Sequence, residues 1–187
     1  MKTASRVPKT VATRRVYEGE YISLRLDTLQ LGNAPAAERA IVEHPGAVVI
    51  VPVTAAGSVL LVRQWRQPAG EVLLEAPAGT LEPGESPQET ARRELQEETG
   101  YAAERLESIG QFYTAPGFCT ELMHAYLATG LTPSSLPQDP DEDVRVEEAP
   151  LARVTGLIES GQIRDAKTIA SLLTVLALHS AKLPGGS

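Results

Sequence analysis

Cysteine is nearly absent. The 187 residues contain one, Cys119, so no internal disulfide can form. That excludes a small disulfide-built secreted domain and suits a reducing compartment, the cytoplasm. Aromatic residues make up only 4%, so Leu, Val, Ile and Ala must fill the core. Positive charge is not in excess either: 17 Lys and Arg face 24 Asp and Glu, giving a formal net charge of -7. This balance argues against a general nucleic-acid binder and fits a cation-binding protein. Long hydrophobic runs are missing. The most apolar late stretch, 169–178, is about half the ~20 residues that a membrane-spanning helix needs. The start is basic, with Lys2, Arg6, Lys9, Arg14 and Arg15 ahead of the first acid, Glu18. No apolar region follows it, so a signal peptide is not expected. Residues 1–16 read instead as a flexible basic tail, with a transit peptide the weaker alternative.

What remains is an ordinary globular composition, 42% apolar and 22% charged. At this length that means one domain with a sizeable core. Residues 17–32 alternate roughly and read as a strand or hairpin. The β-branched runs at 46–53 and 58–65 flank a short turn and are expected to pair as a hairpin. Further strands are expected at 71–76, 105–113, 121–128 and 144–149. Residues 132–143 (TPSSLPQDPDED) are Pro-rich and acidic and read as a loop. A terminal helix is expected over 165–182, with Ile169, Leu172, Leu173, Leu176 and Ala177 on one stripe. Trp65 reads as a core or interface residue. Strands with a central and a terminal helix indicate an α/β or α+β domain.

The informative segment is 79–101, GTLEPGESPQETARRELQEETGY. Ser86 suits an N-cap, Pro87 the first helical position, and Glu89 completes a capping box. Gly100 suits the left-handed residue that ends a helix. A helix over 87–99 follows. At about 100° per residue, Glu97 and Glu98 fall about 60° and about 40° either side of Glu94. Three carboxylates therefore crowd one face. The Glu94–Glu98 pair alone costs a few tenths of a kcal/mol as like charges at i,i+4. A hard divalent cation would reverse the sign of that cost. The competing interpretation is a solvated acidic face. The Gly and Pro residues that constrain the approach, Gly79, Gly84, Pro77 and Pro83, weigh against it. Arg93, one turn before Glu97, is placed to orient it by a salt bridge.

The same segment resembles the Nudix box, G-x5-E-x7-R-E-U-x-E-E-x-G-U, where U is aliphatic. Gly79, Glu85, Arg93, Glu94, Leu95, Glu97, Glu98 and Gly100 stand at its spacings. Tyr101 departs from the aliphatic last position. The resemblance implies hydrolysis of a nucleoside diphosphate linked to another moiety, with Mg2+ (or Mn2+), two or more ions. It also implies the Nudix fold: a mixed β-sheet sandwiched between helices, here with an N-terminal β-strand region. The expected organisation is a tail over 1–16, a strand region over 17–45 available for dimerisation, and a Nudix domain over 46–182.

Within that family, FYTAPGFCTE (112–121), ERAIVEHPGAVVIV (38–51), VRQWRQPAGEVLLEAPAG (62–79) and PDEDVRV (140–146) resemble the ADP-ribose pyrophosphatase subgroup. Pro116 lies where that subgroup carries a proline. The resemblance implies a nucleotide-sugar substrate, ADP-ribose, split into AMP and ribose 5-phosphate. No nucleic-acid or membrane partner is expected, from the charge balance and the missing long hydrophobic runs. The resemblance also implies a homodimer in which the N-terminal strands complete the other subunit's site. By position, Ala78 would offer a carbonyl to metal, with Glu94 and Glu98 as ligands. Glu97 would support them or act as a further ligand, and Glu85 would have a secondary role. Arg39 and Arg66 would hold the diphosphate or terminal ribose, Gly117 and Glu121 the ribose side, and Tyr21 the adenine. Arg63 is set aside because it points opposite Arg66 along a strand. Glu142, in the acidic loop, would position or deprotonate the attacking water, with Asp141 and Asp143 as substitutes. His44 and His124 read as structural. Alternatives are a pyrophosphatase for GDP-mannose or a dinucleoside polyphosphate, or a non-catalytic Nudix module.

Overall fold

A computed structural model of the chain describes residues 7–138 and 143–183. In chain order the elements are β1 (Lys9–Glu18), β2 (Ser23–Gln30), β3 (Ala37–Glu43), β4 (Ala47–Pro52), β5 (Ser58–Arg66), β6 (Glu71–Glu75), β7 (Ala78–Thr80), α1 (Pro87–Thr99), β8 (Tyr101–Tyr113), β9 (Leu122–Pro133), β10 (Arg145–Pro150), α2 (Val154–Glu159) and α3 (Ala166–Leu178). They form two compact units. One runs up to Gly46 and includes Tyr113–Leu122; the other holds Ala47–Phe112 and continues from Met123. No described helix is long and apolar enough to cross a membrane.

The first unit is an antiparallel sheet in the order β1-β2-β3. Its strand β1 begins at Lys9, inside the stretch expected to be a tail. Every residue of β1 is exposed, so burial leaves no signature in its sequence. Backbone pairing with β2, from Lys9↔Gln30 to Glu18↔Ser23, holds it instead. The segment after Tyr113 docks on the end of β3: Val42 N donates to the Phe118 carbonyl at 2.7 Å, and Thr120 N to the Val42 carbonyl at 3.0 Å.

The second unit contains a four-stranded sheet, β7-β4-β9-β8, and a three-stranded one, β10-β5-β6. The larger sheet is mixed, since β4 runs parallel to β9 and antiparallel to β7. The two β-branched runs therefore do not form a hairpin. They enter different sheets and share one bridge, Val53↔Val59. Both are buried along most of their length, so each serves as an inner strand with its own neighbours. Alternation along β4 divides the core. Val48 and Ile50 pack with Ala91 and Leu95 of α1, while Val49 and Val51 pack with Leu172 and Val175 of α3. The sheet thus lies between helices, as expected. Each of these Val, Ile and Leu side chains contributes about 1.5–3 kcal/mol on burial.

The apolar stripe expected on α3 is only partly buried, with Ala177 among its exposed members. The buried face of α3 is Thr168, Ser171, Leu172 and Val175, and Leu173 is exposed. Small polar residues take the tight contacts there, which an apolar-stripe reading overlooks. Trp65 is exposed on β5, beside Val72 of β6, with its indole N–H donating to Gln67.

Candidate active site

Helix α1 forms as its sequence dictates. Ser86 caps it, accepting from Glu89 N, while the Glu89 carboxylate accepts from Ser86 N at 2.8 Å. Gly100 closes it at φ 75° and ψ 20°, a conformation that suits glycine. The apolar face toward β4 then fixes the helix's rotation. Glu94 and Glu98 are drawn inward to 9% and 4% exposure.

Arg93 organises the acids. Its Nε and Nη2 donate to the two Glu85 oxygens, both at 3.1 Å. Its Nη1 donates to Glu94 Oε1 at 2.7 Å and to Glu97 Oε2 at 2.9 Å. The orienting salt bridge expected between Arg93 and Glu97 is present, and Arg93 also holds Glu85 and Glu94. Burial pushes the Arg93 guanidinium down. Its bonds to Glu85 and Glu97 and the charge of Glu94 outweigh this and raise it well above its ordinary value. Glu85 is held below the usual carboxylate range, mainly by its bond from Arg93.

Strand β7 supplies the opposite wall. Ala78 N donates to Glu98 Oε2 at 2.9 Å. Gly79 passes so close to Glu94 that a β-carbon there would stand 1.8 Å from Glu94 Oε1. Gly79 is not in the left-handed region, so it is required for space rather than for backbone freedom. The donors Glu94, Glu98 and Ala78 are oxygen groups of the kind that hard divalent cations take. Two buried carboxylates one helical turn apart repel each other, and a cation would relieve that. The donor set fits Mg2+ or Mn2+ in chemistry. Among the described residues, no three acidic, His or Cys side chains converge into a group able to hold an ion by themselves. Glu97 in particular is turned onto Arg93.

The remaining expected residues divide between the units. Arg66, in the second unit, is half-buried. Its Nε and Nη2 donate to Glu75 at 2.9 and 2.8 Å. Those bonds raise its pKa against burial, and the charge of Glu98 also acts on it. Arg63 faces the other way, paired with Glu147. In the first unit, Arg39 on β3 is exposed, its Nη1 donating to the Glu38 carbonyl at 2.9 Å. Tyr21 and Gly117 are exposed too. Glu121 accepts from the Thr114 hydroxyl and lies 3.6 Å from His44 Nε2. His44 therefore has a partner that its sequence context does not disclose. Glu142 lies outside the described residues, as does Asp141; Asp143 pairs with Arg145.

Sequence reasoning passed over Glu75 and Lys167. Glu75 is 1% exposed, and Lys167 of α3 pairs with it. The one local signal is a glutamate closing an apolar strand, EVLLEA, where an alternating pattern offers no reason for it.

Taken with this geometry, comparison with known proteins defines the class. The NUDIX domain matches residues 43–172, most of the chain, and the chain belongs to the Nudix family. It is 44% identical over 162 residues to the ADP-ribose pyrophosphatase of Bacillus subtilis (strain 168), covering 86% of this chain and 88% of that one. It is 39% identical over 166 residues to the methanol dehydrogenase activator of Bacillus methanolicus, covering 88% and 90%. The crystal structure of an ADP compounds hydrolase superposes with a TM-score of 0.86 at 24% identity, covering 98% of this chain and all of that one. That likeness establishes the fold.

Proposed function

We propose that this protein hydrolyses the diphosphate bond of ADP-ribose, giving AMP and ribose 5-phosphate, in a Mg2+-dependent reaction. The observation that carries the reading is the pair of buried carboxylates, Glu94 and Glu98, against Gly79 and Ala78. The choice of substrate is supported by 44% identity to an ADP-ribose pyrophosphatase over most of both chains. Glu94, Glu98 and the Ala78 carbonyl would hold the metal, two or more ions being the expectation. Mg2+, when bound, supplies positive charge against the diphosphate and makes water more acidic.

The chain's own residues do the rest. Arg93 keeps Glu94 and Glu97 oriented, and the bond from Ala78 N fixes the Glu98 carboxylate. Arg66 presents its guanidinium to the diphosphate, for which a planar fork of donors is suited. Glu142 is our choice for the carboxylate that accepts the proton of the attacking water, with Asp141 and Asp143 as substitutes. Arg39, Tyr21, Gly117 and Glu121 are assigned to the ribose and adenine side.

A homodimer accompanies this reading. Strand β1 is an edge of its sheet and is exposed throughout, Val11, Val16 and Tyr17 included. Native proteins cover such edges, and a second copy would cover this one. In this reading 46–182 is the catalytic domain. A cytoplasmic setting suits the single free cysteine.

The test is product identification. Incubation of the purified protein with ADP-ribose and Mg2+ is expected to yield AMP and ribose 5-phosphate in equal amounts. Release of ADP, or of no nucleotide, would refute the assignment.

A further inference from the structure

Outside the acidic helix lies a second charge cluster, of which only Arg66 has been given a role above. It is centred on Glu75, the last residue of β6. Arg66 grips both oxygens of this buried carboxylate through Nε and Nη2. Lys167, in the first turn of α3, pairs with the same carboxylate, and its Nζ also meets Asp165 Oδ2 at 3.0 Å. Asp165 caps α3, accepting from Thr168 N at 2.9 Å. Arg66 and Lys167 thus balance Glu75 and Asp165. A carboxylate buried this deeply persists only when paired and hydrogen-bonded. Such a cluster adds little stability over apolar residues of the same size. What it does impose is geometry.

That geometry bears on the site. A two-point grip fixes the plane of a guanidinium. It engages Nε and Nη2 of Arg66 and leaves Nη1 outside the grip. The charges of Glu98 and Asp165 also act on Arg66, more weakly than Glu75 does. The segment 76–78 that follows Glu75 is tied to both helices. Ala76 N donates to Thr168 Oγ1 of α3 at 2.8 Å, and Ala78 N donates to Glu98 of α1 at 2.9 Å. Lys167 brings a second positive charge to Glu75, so the carboxylate is neutralised without Arg66 having to surrender Nη1.

We propose that Glu75, backed by Lys167, is a positioning residue that aims Arg66 at the substrate diphosphate and keeps its guanidinium from closing on Glu98. This rests on the reading of Arg66 as a diphosphate ligand given above. If Glu75 loses its charge, Arg66 is released from the grip, and Glu98 and Asp165 are the anions whose charges already act on it. Substrate binding and cation binding then weaken together.

The experiment compares wild type, Glu75→Gln, Glu75→Asp and, as a control on β10, Glu147→Gln, whose partner is Arg63. Steady-state kinetics with ADP-ribose are measured beside Mn2+ binding without substrate, followed by electron paramagnetic resonance. For Glu75→Gln we expect KM to rise about tenfold with kcat changed less than about threefold, as for loss of a contact made in the ground state too. Mn2+ affinity should fall several-fold. Glu75→Asp, which keeps the charge but shortens the grip, should lie between it and wild type. Glu147→Gln should match wild type in both readouts. A merely structural Glu75 would lower the melting temperature of its variants without moving KM or Mn2+ affinity, and that result overturns the proposal. If the amide variant does not fold, Glu75→Asp decides alone: unchanged KM and Mn2+ affinity refute the idea. A wild type that releases no AMP would count against the ADP-ribose reading, while the Mn2+ comparison would still judge Glu75.

Discussion

The α-carbon of Gly79 faces the Glu94 carboxylate so closely that a single added methyl would overlap it, 1.8 Å from Oε1. The first glycine of the Nudix box is thus explained by a side chain of α1, 15 residues further along the sequence. The atoms in conflict are the far end of a flexible side chain, so the fold would survive the methyl while Glu94 swung aside. For Gly79→Ala we expect a melting temperature within a few degrees of wild type. Turnover should fall about 100-fold, since a displacement near 1 Å at a reacting centre has that effect. Circular dichroism melts alongside AMP release check both halves.

Glu98→Gln keeps the volume of Glu98 and an oxygen that can accept from Ala78 N. The strand contact therefore survives and only charge is lost. We expect kcat to fall at least ~100-fold, worth ~2.7 kcal/mol of transition-state stabilisation. Without metal, stability should hold or rise slightly, because a like-charge pair with Glu94 is removed. Turnover like that of wild type would remove Glu98 from the site.

Acid lability should trace to Glu75. Burial acts on its carboxyl most strongly and upward. The hydrogen bond from Arg66 and the charge and hydrogen bond of Lys167 together hold it below its ordinary value. The unfolded chain, with the ordinary value, then takes up this proton more readily than the folded one. Stability from Glu75 is fully present above the ordinary carboxylate range and is lost as pH falls through the lower folded value. Melting temperatures of wild type should drop along that descent, and Glu75→Gln should show a shallower drop.

Arg39 offers a contrast with Arg25 on the neighbouring strand β2. Arg25 is committed to Asp27 and Glu43. Among the described residues no acid holds Arg39. Arg39→Ala should leave the melting temperature unchanged and raise KM for ADP-ribose several-fold with little effect on kcat. Arg25→Ala should instead lower stability. An unchanged KM in Arg39→Ala would make it an ordinary surface charge.

How far the sequence discloses this protein depends on how local each cause is. Helix α1 was legible because Ser86, Pro87, Glu89 and Gly100 carry its start and stop within the segment itself. The crowding of Glu94, Glu97 and Glu98 followed from helical geometry alone. Strand β1 was not legible, because an exposed strand held by backbone bonds to β2 imposes no apolar pattern. The supposed hairpin of β4 and β5 failed because an inner strand's pattern announces burial but not its neighbour. β4 lies next to β9, far along the chain. The Glu75 cluster was out of reach for the same reason, since Lys167 lies 92 residues from the carboxylate it neutralises.

The measurement that tests the account most directly is a substrate panel. ADP-ribose, GDP-mannose and a dinucleoside polyphosphate are compared by kcat/KM, with Mg2+ and with EDTA. The account predicts that ADP-ribose leads by at least about tenfold, a margin of about 1.4 kcal/mol in transition-state binding, and that EDTA abolishes its cleavage to AMP. Preference for GDP-mannose or the polyphosphate would keep the Nudix chemistry and overturn the substrate. ADP-ribose cleavage that persists in EDTA would contradict the central claim, that Glu94 and Glu98 act by holding a metal ion.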